Sequence, residues 1–160
     1  MHNIPYNRTA AVTYARTWAL GRNPAYYNFN DIGGDCTNFA SQCIYAGAGV
    51  MNFTDVFGWY YRSSYDRTPS WSGVEYLYNF LTSNKSVGPY AHVVSQSEIL
   101  PGDIVQLGTS SGDFYHSPVI TSISPMILVA AHSDDALDRP LHSYNYGMIR
   151  FLHIVGVRTW

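Results

Sequence analysis

Apolar residues recur along this chain at two different periods. From Arg8 to Leu20, the residues Val12, Ala15, Trp18 and Ala19 fall at helical spacing, and Gly21 with Pro24 supplies a stop. A second helix is written by Phe39, Ala40, Cys43 and Ile44, preceded by Gly33-Gly34-Asp35 and ended by Gly47. A third begins at Ser72-Gly73-Val74-Glu75, where Ser and Glu stand at the spacing that satisfies each other's free amides, and it buries Val74, Leu77, Tyr78 and Leu81. In the second half the pattern shortens. Asp103 to Leu107, Phe114 to Ile123, Met126 to Ala131 and Met148 to Val157 are β-branched-rich runs separated by Gly, Ser, Pro and Asp clusters, which predicts strands. Helices first and strands afterwards predict an α+β fold, N-terminal helices packed on a C-terminal antiparallel sheet. Between the second and third helices an aromatic loop runs from Met51 to Trp71, too long for a plain connection and so expected to be functional or partly structured.

Composition narrows what such a fold can do. The chain has 160 residues, with no repeat or linker, and reads as one domain over 1–160. Charged residues are only 12% and aromatic residues reach 16%, which excludes disorder. A formal charge of −2 leaves no basic excess to displace counterions, so nucleic acid is excluded as a partner. The basic residues form no run, so no polybasic membrane patch exists, and the longest apolar stretch, Met126 to Ala131, is too short to span a bilayer. The N-terminus lacks a charged start followed by an apolar core. The expectation is a cytoplasmic protein, or a mature or truncated form of a cell-wall protein.

The chemistry concentrates around Gly33-Gly34-Asp35-Cys36-Thr37-Asn38-Phe39. A glycine turn and a capping-type residue place Cys36 in the first turn of a helix, where free amides and the positive dipole end lower a thiol pKa and can hold an oxyanion. Cys43 shares a face with Phe39 and Ile44 and reads as core. Seven residues of helix separate the two sulfurs by roughly 10 Å, too far for a disulfide. A thiol nucleophile needs a base and a group that orients the base. His116 opens a strand at a loop rim, and His132 ends the next one. A hairpin of those strands makes them neighbours, which suits base and orienter, with Asp134 as the competing orienter. His2, His92 and His142 fall in expected loops, and His153 in the last strand. Cys36, His116 and His132 together could hold zinc, but the short-spaced ligand pairs usual in such sites are missing, so neither metal nor cofactor is expected.

These residues also carry a resemblance. Tyr6-Asn7-Arg8 with Ala11 and Tyr14-Ala15, the stretch from Gly33 to Gln42, Trp59-Tyr60-Tyr61, Ser70-Trp71, Pro101-Gly102-Asp103-Ile104, His116-Ser117 and His132-Ser133-Asp134 resemble the putative amidase domain family of bacteria. More distantly, the helix-start Asp-Cys, the later Pro-Gly-Asp strand and the two strand histidines are similar to NlpC/P60 and CHAP cysteine peptidases. The resemblance implies a papain-like fold and a cysteine-dependent amide hydrolase acting on bacterial cell-wall peptide. It implies Cys36 as nucleophile and His116 as general base, with His132 at the third polar position, and Asn30 as the nearest candidate for an oxyanion-assisting side chain. The run His116-Ser117-Pro118 departs from the His-Val-Gly usual in NlpC/P60 members. Trp59 and Trp71, within the aromatic loop, are candidates for the walls of a substrate groove that stacks on glycan or peptide. Two readings compete with hydrolysis: a non-catalytic module that binds cell-wall polymer or peptide, and acyl transfer through the same residues. Oligomeric state is not written in the sequence.

Overall fold

A computed structural model describes residues 1–160. Four helices lie against a curled antiparallel sheet of eight strands, an α+β architecture. The helices are α1 (Arg8–Trp18), α2 (Cys36–Ala48), α3 (Pro69–Ser72) and α4 (Val74–Ser83). The strands of the main sheet are β1 (His2–Ile4), β4 (Gly88–Val94), β5 (Ile104–Gly108), β6 (Phe114–His116), β7 (Val119–Ser122), β8 (Leu128–Ala131), β9 (Ala136–Pro140) and β10 (Met148–Thr159), while β2 (Tyr61–Ser63) and β3 (Asp66–Arg67) form a small separate hairpin. The order is β1-β10-β5-β7-β8-β9, with β4 also on β10 and β6 also on β5. The spine is β10, whose register shift between Ile154 and Gly156 bends it along β4.

The predicted α1 and α2 form, and the reasons are local. Asn7 caps α1, its side-chain oxygen accepting from the Ala10 amide at 3.0 Å. The second helix runs past Gly47 to Ala48 and stops at Gly49, whose φ of 68° is the left-handed conformation glycine adopts without strain. Gly47 serves packing instead. A Cβ there would stand 2.5 Å from the Tyr6 ring and 2.7 Å from the Asn7 carbonyl, so the glycine lets α2 pass the start of α1. The capping box expected at Ser72 and Glu75 does not form. Pro69 starts α3 instead, Ser72 ends it, Gly73 precedes α4 without a side-chain cap, and Glu75 pairs with Arg150 at 2.9 Å.

The expected run from Phe114 to Ile123 is two strands, broken at Ser117-Pro118. The strands β1, β4 and β9 add to the four predicted runs. The aromatic segment is partly structured, carrying the β2–β3 hairpin, α3 and a bridge between Asn52 and Trp59. Its tryptophans belong to the main core. Trp59 and Trp71 are fully buried with Phe39, Ile44, Leu77 and Ile154, their rings 4.8 Å apart, while a smaller cluster around Ile120 and Phe151 fills the other side of the sheet.

Candidate active site

The site forms where the N-terminus of α2 meets β6 and the turn after β8. Gly33 and Gly34 have φ of 81° and 99°, a turn open to glycine alone without strain. At Gly34 a Cβ would also stand 3.0 Å from Ser133 Oγ. That Ser133 hydroxyl accepts from the Asp35 amide at 2.7 Å, fastening the start of the helix to the β8–β9 turn. The side chain of Asp35 does not cap α2, although its position suggests it. It turns inward, fully buried, and its Oδ1 accepts from the Phe29 amide at 2.8 Å and from Asn38 Nδ2 at 2.9 Å. Its Oδ2 faces His132 Nδ1 at 2.6 Å and Arg22 Nε at 3.4 Å. Burial alone would raise the Asp35 carboxyl; the bonds from His132, Asn38 and Phe29 outweigh it and hold the group below its ordinary range.

Cys36 follows as the first residue of α2. Its Sγ lies 3.7 Å from Thr37 Oγ1 and 3.8 Å from the carbonyl oxygen of Tyr115, the residue before His116. Thr37 Oγ1 in turn reaches Ser117 Oγ at 3.3 Å, and Gln106 Nε2 donates to that same serine at 3.1 Å. A buried polar chain therefore ties the cysteine's turn to the strand that carries His116. Ser117, beside His116, supplies that tie.

Burial acts on both candidate groups. It pushes the Cys36 thiol up, against the Thr37 hydroxyl and the amides of Ser117 and Thr37, which stabilise the thiolate. The lowered thiol pKa expected at a helix start is thus overturned by desolvation. His116 is buried too, and its pKa falls to about 4, through burial first and the Arg139 charge second, against a smaller opposing effect of Asp134. No hydrogen bond joins Cys36 to His116 in this resting arrangement; such bonds commonly tighten when substrate arrives.

The remaining expected site residues separate. His132 is fully buried, stacked on Phe39 at 4.0 Å, with Nδ1 on Asp35 and Nε2 on the Trp18 carbonyl at 2.8 Å. Both of its nitrogens are engaged, so neither is directed at His116, and His132 is joined to the start of α2 through Asp35. The Asp134 side chain is 93% exposed, and its Oδ2 lies 3.8 Å from Arg139. Asn30 is exposed in the turn before α2, with no side-chain bond to hold it at the sulfur. Trp59 and Trp71 offer no open face to a ligand: their indole N–H groups donate to Ser41 Oγ at 3.1 Å and Asn38 Oδ1 at 2.9 Å, which braces α2 from behind. Cys43 is a buried free thiol in the core. His153 is satisfied by Asp103 at 2.8 Å, and His2, His92 and His142 are exposed. Thr37, Ser117 and Ser133 lie at this junction with no role assigned to them by the sequence. The adjacency of Ser117 to His116 and of Ser133 to His132 is the signal available for two of them.

A family model described as Putative amidase domain matches residues 5–155. The Uncharacterized protein YhbB of Bacillus subtilis (strain 168) is 34% identical over 120 residues, which are 73% of this chain and 37% of that protein. The chain therefore spans well under half of that relative's length. No solved structure matches. Matched from near its first residue to near its last, the chain belongs to the putative amidase domain family.

Proposed function

We propose that this protein is a cysteine-dependent amide hydrolase in which Cys36 is the nucleophile and His116 the general base. Membership of a family named for amidase activity supports the reaction class. The observation that carries the residue assignment is the seat of the Cys36 sulfur, at the start of α2 and 3.8 Å from the carbonyl of the residue preceding His116. A helix bearing the thiol against a sheet bearing the base is also the arrangement expected of a papain-like enzyme. The resemblance to NlpC/P60 and CHAP peptidases makes a peptidoglycan stem peptide the substrate we favour.

At neutral pH the resting pair is a thiol and an uncharged imidazole, because burial disfavours the charged form of each. His116 takes the Cys36 proton as the sulfur attacks the substrate carbonyl carbon. The C–S bond forms, the C=O electrons move to oxygen, and the Cys36 amide at the start of α2 receives that oxyanion. The intermediate collapses as the C–N bond breaks, and His116 gives its proton to the departing amine. Water, deprotonated by His116, then cleaves the thioester and restores the thiol. The scheme calls on no metal or cofactor.

The test is incubation of wild type and Cys36→Ala with purified peptidoglycan and with short peptides, followed by product masses. Wild type is expected to release new amine and carboxyl ends and Cys36→Ala to release none. Equal cleavage by both proteins overturns the reading.

A further inference from the structure

We propose that Tyr144 is the group that orients His116, its phenolic oxygen accepting the N–H of the imidazole nitrogen turned away from Cys36. This rests on His116 being the general base. A neutral imidazole that takes a proton at one nitrogen carries hydrogen on the other, and that N–H must be held for the ring to keep its aim. His132 is spoken for at both nitrogens, and Asp134 points to solvent beside Arg139. His116 itself has no hydrogen-bonding side chain on it; only burial and the charges of Arg139 and Asp134 act on its proton.

Tyr144 is the neighbour left. Its ring centroid lies 5.7 Å from that of His116 at an interplanar angle of 50°. Its hydroxyl is buried with no partner at hydrogen-bond geometry, and the Arg139 guanidinium is the cation that acts on it. An unpartnered buried hydroxyl is destabilising, and a group kept at that cost invites a role outside stability. The proximity is built into the fold on both sides. Tyr115, just before His116, donates its hydroxyl to the carbonyl of Asn145, just after Tyr144, at 3.2 Å. The Arg139 guanidinium covers the Tyr144 ring at 3.7 Å and is held by Ser143 Oγ at 2.8 Å and the Ser143 carbonyl at 3.2 Å. With the ring centroids 5.7 Å apart, the proposal requires the Tyr144 hydroxyl to turn to the unpaired His116 nitrogen.

A phenol suits this position better than a carboxylate. It steadies the N–H without adding a negative charge that would raise His116, and His116 is instead held low. Tyr144 keeps its own proton throughout, since burial raises its hydroxyl against the opposing pull of Arg139. Tyr144 is a positioning residue, and the third position of the site is a hydroxyl.

Iodoacetamide tests this without knowledge of the natural substrate. Alkylation of Cys36 in the whole chain is followed from pH 5 to 9 by mass of the Cys36 peptide, for wild type, His116→Ala and Tyr144→Phe. Both variants are expected to react about tenfold more slowly than wild type at pH 7 and to recover as pH rises toward the thiol's own pKa. The thermal midpoint of Tyr144→Phe is expected to stay within about 4 °C of wild type, the cost of one hydrogen bond, so that slower alkylation does not reflect loss of the fold. If His116→Ala is slow and Tyr144→Phe reacts like wild type, the role of Tyr144 is overturned and the base assignment stands. If His116→Ala also reacts like wild type, the base assignment falls and this inference with it. Nitrogen-15 shifts of the wild-type His116 ring give a second, variant-free measure: a single tautomer at pH 7 supports the proposal, and averaging between two tautomers overturns it.

Discussion

At Cys36 and His116, burial acts on each side chain in the direction that removes charge. The sulfur has three donors to stabilise a thiolate, yet desolvation wins and the thiol is raised; the imidazole is lowered to about 4. Two neutral groups are easier to bury than an ion pair, and under the proposed mechanism the charge develops only during attack. This has a measurable consequence. A base with an ordinary histidine pKa would lose about tenfold in kcat/KM between pH 7.5 and 5.5. With His116 neutral down to about pH 4, kcat/KM is expected to stay nearly flat across that range and to fall only near pH 4. Arg139→Gln removes the charge that helps hold His116 low and is expected to move this acidic limb upward. A wild-type limb near pH 6.5 would overturn the lowered pKa of His116.

The elements that matter most are α2 and the β8–β9 turn, because their junction sets where the sulfur sits. Asp35 binds across it to His132, and Ser133 binds back to the Asp35 amide. His132→Ala leaves a fully buried carboxylate with its shortest bond gone, and breaking a buried pair from one side costs roughly 3–5 kcal/mol. A drop of that size in unfolding free energy, read from the urea midpoint, is expected for His132→Ala, and a loss within error would show that the junction does not hold the helix start. This part of the site was only half legible in the sequence. Helical period and the double glycine located Cys36 at a helix start, because those signals are local. Nothing local told that Asp35 turns inward, since the same residue before a helix ordinarily caps it. The partner of His132 lies 97 positions away in the chain. Trp59 and Trp71 misled for a related reason: an indole with a free N–H suits a groove wall as well as a core, and only Ser41 and Asn38 behind them decide it. Short or half-exposed strands such as β1, β4 and β9 carry too few alternating positions to announce themselves, whereas β5 and β10 do.

For the molecule as a whole, the sheet and helices are tied by a second buried carboxylate. Asp103 accepts from Arg8 at 2.7 Å, from the Leu100 and Ile154 amides at 2.8 and 2.9 Å, and meets His153 at 2.8 Å, so α1, β5 and β10 converge on it. The Tyr6-Asn7-Arg8 and Pro101-Gly102-Asp103 segments meet here. Their part is structural, and they hold the sheet against the helix layer that carries Cys36. How such a fold responds to acid follows from the groups whose protons differ between folded and unfolded chains. His116 has a folded pKa of about 4 against an ordinary 6.5, so between those values the unfolded chain binds more protons. Its contribution is fully present above pH 6.5 and is lost as pH falls to about 4, on the order of 3 kcal/mol in total. Asp35 is also lowered in the folded state, from an ordinary value of 3.8, so its contribution is lost only as pH falls below that value. The stability of the folded chain is therefore expected to decline in two stages, the first from pH 6.5 to 4 and the second beneath it. Urea midpoints at pH 7.5, 5.5 and 4.5 trace the first stage, and His116→Gln is expected to flatten it while leaving the second in place. An unchanged decline in His116→Gln would assign the first stage to other groups, and the buried neutral imidazole would then not explain the acid response.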